Sequence, residues 1–571
     1  MKKILSYCKF YIRESILGPL FKFFEAAIEL FVPLMIAAII DNGISKGDSS
    51  YAVSASLILV LLGAIGLAFS ITAQYFAAKA AVGSVTMLRH DLFSHIQSLS
   101  HRELDAIGTS SIITRLTADA NQVQAGINLT LRLLLRSPFV VFGAMVMAFT
   151  IDFHSALTFV SAIPALALAV FAIMLISIPL FKRVQARLDS ITAIARDNLA
   201  GARVIRAFAM EEHEAEGFRD ASATLTGAQK RVGRISALLN PITFVIINLA
   251  IIVLISIGAI KVDGGFLTQG QVVALYNYMS QILVELIKLA NLIISVTKAV
   301  SSAGRINDVF AIEGSIVSGK ECEGKSDTAI EFSHVSFTYK SAAAPSLSDI
   351  SFSAKRGETI GIIGGTGAGK TSLINLIPRF YDASSGNVLV FGRDVREYDT
   401  EALRRKVRIV PQKAMLFEGT VRDNIRWGKP DADDEEIFAA ITAAQANGFV
   451  LEKGGLDAEV ELDADNFSGG QRQRLTVARA IVGKPDIIIF DDSSSALDYA
   501  TDAAMRRDVR AFAPDSTLVI VSQRTSSIMH ADRIIVLDDG VAVGVGRHEE
   551  LLESSPIYRE IYNSQFGEVE E

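Results

Sequence analysis

The stretch that decides the fold reads Gly-Gly-Thr-Gly-Ala-Gly-Lys-Thr-Ser at residues 364–372. It fits the pattern G-x-x-x-x-G-K-[ST], in which backbone N–H groups wrap nucleotide phosphates and glycines let the chain pass close to them. An apolar run at 359–363 predicts a buried strand before the loop, and residues 373–377 predict a helix after it. The pattern therefore predicts a phosphate-binding loop between a strand and a helix.

Two side chains of this loop have expected roles of their own. Lys370 is expected to reach the outer phosphates, and the Thr371 hydroxyl is expected to bind Mg²⁺. The residues predicted to contact the nucleotide are Gly364, Gly365, Thr366, Gly367, Ala368, Gly369, Lys370, Thr371 and Ser372.

Length and composition indicate more than a soluble nucleotide-binding domain. The 571 residues exceed what one hydrophobic core holds, so two or more domains are expected. Hydrophobic residues make up 50% and charged residues 20%, a balance that predicts membrane spans in addition to a soluble part. The net charge of -7 gives no reason to expect nucleic acid as a partner. Cys8 and Cys322 indicate no disulfide framework.

Six stretches in the first half are apolar over about the 20 residues that a bilayer span requires. Residues 1–15 are predicted to form an amphipathic helix on the inner membrane face. The six spans exclude a soluble phosphate-loop enzyme. The predicted spans are Leu17–Ile40, Val53–Ala78, Leu133–Ile151, Leu157–Phe181, Ile242–Ile260 and Val272–Val296.

The connections between the spans indicate the orientation in the membrane. Three are short and carry only Lys46 and Lys261 as lysine or arginine, whereas those at about 79–132 and 182–241 are long and basic. By the positive-inside rule the long connections face the cytoplasm. We therefore expect a multi-pass protein of the cytoplasmic membrane, with both termini and the phosphate-binding loop inside.

The sixth predicted span carries a stripe of polar residues. Steps of three and four residues keep the stripe on one helix face, and polar groups inside a bilayer face the bundle or a wet cavity. A substrate path is favoured over a polar helix–helix contact, with Glu285 and Lys288 paired. Glu25 and Glu29 in the first span fit either packing or the path. The stripe consists of Asn277, Gln281, Glu285, Lys288 and Asn291.

Further along the chain, three features suit nucleotide chemistry. Tyr339 ends a predicted strand and has a ring that can stack on adenine. The run Ile487–Asp491 predicts a buried strand ending in a carboxylate, the expected Mg²⁺ partner. Small residues before a helix predict a second phosphate-binding site, which fits the nucleotide of a neighbouring chain. These small residues and their neighbour are Ser468, Gly469, Gly470 and Gln471.

With these motifs in this order, the chain resembles a bacterial ABC exporter half-transporter of the multidrug type over nearly its whole length. The resemblance rests on the Walker A loop, the Q-loop residue Gln412, the signature 467–471, the Walker B strand and the D-loop Ser495–Asp498. It implies an α-helical membrane domain with six transmembrane helices and an α/β P-loop NTPase domain of the ABC type. The implied bounds are 1–315 for the membrane domain, 316–328 for a linker and 329–571 for the nucleotide-binding domain.

The resemblance also implies ATP and Mg²⁺ as cofactors and two chains clasped head to tail. Each ATP then lies between one chain's Walker A loop and the other chain's signature. Tyr339 becomes the aromatic residue on adenine, and Gln412 joins Thr371 and Asp491 at the metal. Residues 108–119 and 198–208 match the coupling regions between membrane domain and motor.

Two departures from the family pattern fall on the catalytic positions. Asp492 stands where the family has a glutamate that sets up the attacking water, and its side chain is one methylene shorter. Gln523 stands where the family has the switch histidine, and an amide cannot carry the charge of an imidazolium. The segment 460–465 lacks the glycines often seen before the signature, which weakens the transmission role of Glu461.

These departures predict a division of labour between two unlike chains. This chain's own Walker site should bind ATP and hydrolyse it poorly, and its signature should complete the active site of a partner that keeps the glutamate and the histidine. The predicted function is ATP-driven export of a small molecule, peptide or lipid, and the sequence does not name the cargo. Alternatives are a homodimeric exporter or lipid flippase, and a regulatory membrane subunit gated by ATP.

Overall fold

A computed structural model of the protein describes residues 6–340, 342–493 and 497–567. The first five residues of the predicted N-terminal helix therefore lie outside the described residues, and so do Ser495 and Ala496 of the predicted D-loop.

The chain forms two compact units. The first, the membrane unit, contains residues 1–97 and 109–312. The second contains residues 98–108 and 313–571. The short segment 98–108 from the first half of the chain thus belongs to the second unit.

Within the described residues, the membrane unit has six helical segments long and apolar enough to cross a membrane, which confirms the predicted number. Such apolar stretches form helices because every backbone N–H and C=O is then bonded within the segment, where lipid offers no partner. The chain is therefore a multi-pass membrane protein. The segments are Cys8–Ile44, Ser49–Ser98, Thr109–Ile151, Phe153–Ala200, Glu211–Asp263 and Gln269–Phe310.

Individual helices within and between these segments follow one another with few breaks. The α-helices run over Ile12–Ala38, Ser49–Ser98, His101–Ile107, Thr109–Thr114, Ala120–Leu133, Arg136–Ile151, Phe153–Ala200, Ala202–Ala207, Glu211–Ala237, Leu239–Asp263 and Gln269–Phe310.

Several helices are much longer than the spans predicted from hydropathy. Ser49–Ser98 has 50 residues and Phe153–Ala200 has 48. At 1.5 Å per residue each is about 70 Å long, against a hydrocarbon core of about 30 Å. The predicted spans are therefore only the apolar parts of these helices, and the polar residues that follow continue the helix.

The segment Ser98–Gly108 is the part of the first half that joins the second unit. The resemblance implied a first coupling region at 108–119; residues 109–119 lie in the membrane unit and Gly108 in the second unit, and the coupling role stays a prediction. Residues 198–208 lie in the membrane unit around the short helix Ala202–Ala207.

Two contacts hold the Ser98–Gly108 segment within the second unit. The ring of His101 packs against Phe380 with centroids 4.5 Å apart. The hydroxyl of Tyr381 donates a hydrogen bond to Asp105 Oδ2 at 2.6 Å. Burial, and then the bond to Asp105, raise the pKa of Tyr381, so its hydroxyl keeps the proton that it donates.

The second unit is built on three sheets. A four-stranded antiparallel sheet has the order β2-β1-β4-β5, a six-stranded sheet β12-β11-β3-β10-β9-β6, and β7 pairs with β8. The strands are β1 Thr328–Phe337, β2 Leu347–Lys355, β3 Thr359–Gly364, β4 Ser385–Val390, β5 Arg393–Asp394, β6 Val407–Val410, β7 Gly419–Thr420, β8 Glu459–Val460, β9 Ile487–Asp491, β10 Thr517–Val521, β11 Arg533–Asp538 and β12 Val541–Gly546.

The six-stranded sheet is buried on both faces. Along β9, Ile488 and Phe490 belong to one hydrophobic core, whereas Ile487 and Ile489 belong to another. Successive side chains of a strand point to opposite faces, so both faces are covered, as is usual for parallel sheets. With the six membrane-spanning segments found among the described residues, this α/β unit confirms the predicted fold class.

Helices complete the layers around this sheet. In the second unit they run over Lys370–Leu376, Thr400–Lys406, Val421–Arg426, Asp434–Ala443, Asn447–Glu452, Gly469–Ile481, Tyr499–Phe512, His548–Ser554 and Pro556–Phe566, besides His101–Ile107.

Replacing Tyr381 by Phe should loosen the Ser98–Gly108 segment. The variant keeps the ring and loses the hydroxyl that donates to the charged Asp105, so we expect amide hydrogen exchange in residues 98–108 to accelerate about tenfold. Exchange mass spectrometry of the full chain measures this. The matched control is Tyr398→Phe, because that hydroxyl donates to Val390 O elsewhere in the second unit. Equal exchange in both variants would show that the bond to Asp105 does not hold the segment.

Candidate functional site

The carboxyl ends of four neighbouring parallel strands bring distant parts of the sequence together. β3, β10, β9 and β6 lie side by side and run in the same direction. The loop after β3 is the predicted phosphate-binding loop, while Gln523, Asp492 and Gln412 follow β10, β9 and β6 respectively. Ligands of open α/β sheets bind at this edge.

The loop after β3 has the backbone that its glycines allow. Gly367 and Gly369 have φ values of +86° and +95°, in the left-handed region that disfavours a Cβ atom. A Cβ on Gly369 would also lie 2.6 Å from Ser346 O. Both glycines are thus needed for the shape of the loop.

The ammonium group of Lys370 lies across this loop. Its Nζ donates to Gly364 O at 2.8 Å and to Gly365 O at 2.7 Å. Burial lowers the pKa of Lys370, because desolvation disfavours the charged form. A buried cation that donates to carbonyl oxygens of this loop and lies near the Asp491 and Asp492 carboxylates is a fit partner for nucleotide phosphates.

Thr371 and Asp491 form a pair of oxygen ligands next to the loop. Thr371 Oγ1 lies 3.3 Å and 3.4 Å from the two carboxylate oxygens of Asp491. Burial raises the pKa of Asp491, and the neighbouring Asp492 carboxylate adds to the rise. Such hard oxygens fit Mg²⁺, which keeps several waters and is held by one or two protein groups plus phosphates. The described residues contain no group of three His, Cys, Asp or Glu for a metal, and Mg²⁺ at this site requires none.

Asp492 directly follows β9, at the carboxyl ends of the parallel strands. Gln412 Nε2 donates to its Oδ2 at 3.2 Å, and its backbone N donates to Val521 O at 3.0 Å. Its φ of +43° is uncommon for a residue with a side chain, and such outliers cluster at functional sites. The structure therefore places Gln412 against Asp492, the residue that follows Asp491.

Gln523 follows β10. Its backbone is held by Gln565, a residue that the sequence analysis did not identify. Gln565 Nε2 donates to Gln523 O at 2.7 Å, and Gln565 Oε1 accepts from Thr525 N at 2.8 Å. Gln565 lies on the helix Pro556–Phe566. A lone glutamine on a half-exposed terminal helix belongs to no pattern, so only the structure shows that its amide clamps the loop after β10.

Tyr339 lies beside the phosphate-binding loop. Its hydroxyl oxygen is 3.1 Å from Ser372 Oγ, and its ring meets that of Tyr381 edge-on with centroids 5.4 Å apart. An aromatic face next to the loop is placed where it can stack on the base of a bound nucleotide.

The run Ser468–Gln471 opens a helix of 13 residues, Gly469–Ile481. Ser468 Oγ accepts from Gln471 N at 3.3 Å, while Gln471 Oε1 accepts from Ser468 N at 2.9 Å. In the part of the chain that the structure describes, no hydrogen bond or ion pair joins this run to residues 364–372.

Family models match a part of each of the two units of the chain. Residues 15–286 match the ABC transporter transmembrane region, and residues 347–495 match the ABC transporter family of ATP-binding domains. A relative in Mycobacterium tuberculosis, an uncharacterised ABC transporter ATP-binding protein, is 38% identical over 546 residues, which cover 94% of this chain and 93% of the relative. The chain belongs to the ABC transporter family.

Two further matches extend the comparison. The Bacillus subtilis protein YgaD, whose name assigns it to multidrug export, is 30% identical over 590 residues that cover 99% of each chain. The structure of a bacterial Atm1-family ABC exporter with ATP bound superposes with a TM-score of 0.80 over 98% of this chain and 99% of that one, at 24% identity. The ABC transporter described here thus has a membrane unit and an ATP-binding unit in one chain, with the fold of an ABC exporter, and its ATP-binding unit belongs to an ATP-hydrolysing family.

A second candidate site lies in the membrane unit of this ABC transporter. Four residues of the predicted polar stripe line a cavity of about 280 Å³, and Glu29 lines it as well. Asn291 is not among the lining residues. The four stripe residues are Asn277, Gln281, Glu285 and Lys288.

Arg136 is the residue of this second site that sequence reasoning missed. Its side chain is buried, with Nη1 donating to Glu285 Oε1 and Nη2 donating to Glu29 Oε2, each at 2.5 Å. Lys288 Nζ donates to the same Glu285 oxygen at 2.8 Å, in the pairing that the helical spacing predicted. An arginine near the start of an apolar helix was a possible signal, but its two partners lie more than a hundred residues away.

Replacing Gln565 by Ala should weaken nucleotide retention, because it frees the backbone of the loop that carries Gln523. We expect the affinity of the full-length chain for a fluorescent ATP analogue to fall about fivefold, because the two lost hydrogen bonds together contribute about 1 kcal/mol to holding the loop in its binding conformation. Gln565→Glu separates the two bonds, since it keeps the acceptor for Thr525 N and loses the donor to Gln523 O. Ser564→Ala, one residue away, is the control and should bind like the wild type. Wild-type affinity in both Gln565 variants would contradict a positioning role for the amide.

Proposed function

We propose that this chain is one half of an ATP-driven exporter of the cytoplasmic membrane, with both termini and the ATP-binding unit in the cytoplasm. The six spans, the basic long connections and the fold of an ABC exporter support this proposal. The name of the multidrug-export relative supports a drug-like small molecule as cargo, and a lipid cargo is compatible with the fold of an ABC exporter. A peptide cargo is compatible with the same fold.

We further propose that the chain's own Walker site binds ATP and hydrolyses it poorly. The observation that carries this proposal is Asp492, whose short carboxylate is held by Gln412 at 3.2 Å. A glutamate at this position would reach one methylene further toward the attacking water, and a displacement of about 1 Å can cost on the order of a hundredfold in rate. Gln523 adds to the deficit, because an amide cannot supply the charge of an imidazolium.

Each remaining residue of the site has a role in holding the nucleotide. Lys370 and the backbone of its loop bind the phosphates, Thr371 and Asp491 hold Mg²⁺ with Gln412 beside them, and Tyr339 stacks on the base. ATP with Mg²⁺ supplies the phosphoryl chemistry when it is bound. The chain's part is to orient it and to keep it in place.

The signature run Ser468–Gln471 serves a different nucleotide in this scheme. Among the described residues, the start of its helix forms no hydrogen bond or ion pair with the chain's own phosphate-binding loop. It is therefore available to complete a site on a second chain. A homodimer would contain two weak sites. We therefore propose a non-identical partner, a second half-transporter that keeps the catalytic glutamate and the switch histidine.

The polar stripe of the sixth membrane helix is proposed as part of the substrate path. Asn277, Gln281, Glu285 and Lys288 line one cavity of the membrane unit, with apolar Val284 among them. A cavity that combines apolar walls with a few polar groups suits an amphiphilic ligand.

Restoring the family residues should restore hydrolysis. The double variant Asp492→Glu with Gln523→His, purified without a partner, should hydrolyse ATP about a hundredfold faster than the wild-type chain, because the carboxylate regains its reach. Lys370→Ala in the double variant is the control and should abolish the gain. Rapid, vanadate-sensitive hydrolysis by the wild-type chain alone, unchanged by Asp492→Asn, would contradict the proposal.

Transport itself should depend on the pair of chains. Inverted membrane vesicles that contain this chain and its co-purifying partner should accumulate fluorescent amphiphiles when ATP is added, and Lys370→Ala should reduce the accumulation. Vesicles with this chain alone should accumulate at least about tenfold less, since each site is then deficient. ATP binding without accumulation of any probe would favour the regulatory alternative, and full accumulation by this chain alone would favour a homodimer.

A further inference from the structure

Four charged side chains in the membrane unit form an unbranched series of alternating sign. Glu29 on the first membrane helix pairs with Arg136, Arg136 pairs with Glu285 on the sixth, and Glu285 pairs with Lys288. The three contacts measure 2.5 Å, 2.5 Å and 2.8 Å. The series carries no net charge, so its members compensate one another inside the bilayer.

The two inner members and the two end members differ in burial. The side chains of Arg136 and Glu285 are 6% and 3% exposed, whereas those of Glu29 and Lys288 are 38% and 41% exposed. A buried charge is tolerated when it is paired and hydrogen-bonded, and Ser137 also donates to Glu285, at 2.8 Å. The inner pair is therefore buried and bonded at both carboxylate oxygens of Glu285 and at both terminal nitrogens of Arg136, while Arg136 Nε has no hydrogen-bond partner among the described residues.

The end members retain unused bonding capacity. Lys288 has three N–H donors and uses one on Glu285, and Glu29 accepts through one of its two carboxylate oxygens. Both ends line the same cavity of about 280 Å³. Gln281 also lines it, and its buried Oε1 has no hydrogen-bond partner among the described residues.

We propose that this cavity binds the zwitterionic group of an amphiphile, with its ammonium at Glu29 and its phosphate or carboxylate at Lys288; the inference rests on the proposed transport function. Such a ligand closes the open series into a ring of alternating charges and adds no net charge to the membrane interior. A single cation at Glu29 or a single anion at Lys288 leaves the other end of the series unmatched. Charge matching at both ends therefore selects the zwitterion.

The cavity volume restricts the bound part to a head group. About 280 Å³ is at the lower end of small-molecule sites, and the walls include the apolar side chains of Val32, Ile36 and Val284. The polar ends thus bind the head group, while the apolar walls contact the first part of a hydrocarbon chain.

The test measures head-group selectivity by equilibrium binding to the full-length chain in detergent. Three fluorescent probes share one acyl chain and carry a phosphoethanolamine, a phosphate or a quaternary ammonium head group. The wild type should bind the phosphoethanolamine probe about tenfold more tightly than either singly charged probe. Glu29→Gln should abolish the preference over phosphate, and Lys288→Met should abolish the preference over quaternary ammonium.

Two kinds of control variant show whether a change in head-group preference comes from the lost charge: variants that preserve the charge, and a variant of a lysine outside the cavity. Glu29→Asp and Lys288→Arg preserve charge and should preserve the preference for the zwitterion. Lys46→Met removes an exposed lysine that bonds Asn42 outside this cavity and should behave like the wild type. Competition by glycerophosphoethanolamine at equal concentration would assign the site to soluble zwitterions, and its failure to compete would assign the site to lipids.

Equal binding of the three probes by the wild type, or an unchanged preference in Glu29→Gln and Lys288→Met, would overturn the inference and leave the four charges as a helix-to-helix link. Because binding is measured without ATP, this failure is separate from a failure of transport. ATP-driven accumulation in vesicles can persist when the head-group preference is absent.

Discussion

The parallel pairing of β3, β10, β9 and β6 is the constraint on which the nucleotide site depends. Strands that run in the same direction end at the same edge, so the loops that follow them meet although they lie up to about 150 residues apart in sequence. Lys370, Gln412, Asp492 and Gln523 are neighbours for this reason.

The membrane unit relies on a different constraint, the cost of charge in lipid. Arg136 and Glu285 are retained inside the helical bundle because each is paired on more than one side. Their pairing links the first, third and sixth membrane helices through three contacts. It also leaves the two end charges, Glu29 and Lys288, at the cavity, so one network both ties the helices together and gives the cavity its polarity.

Much of this organisation could be predicted from local sequence. The phosphate-binding loop and the six spans depend on short-range patterns of glycine and apolar residues, and both were predicted. The features that were missed depend on long-range contacts. Arg136 finds its partners in two distant helices, Gln565 clamps a loop 40 residues before it, and the Ser98–Gly108 segment joins the second unit through a hydrogen bond between Asp105 and Tyr381. None of these contacts produces a periodic pattern or a motif, because neither residue of each pair differs from its sequence neighbours in a way that indicates a distant partner.

The division of labour between two unlike chains is tested most directly by the nucleotide each chain holds after turnover. The co-purified complex is allowed to turn over a photoreactive ATP analogue labelled on both the base and the γ-phosphate, and each chain is then analysed after cross-linking. If the site around Asp492 binds more than it hydrolyses, this chain carries mainly triphosphate and its partner mainly diphosphate. Diphosphate in equal amounts on both chains, or recovery of the complex as two identical copies of this chain with rapid turnover, would contradict the proposed asymmetry.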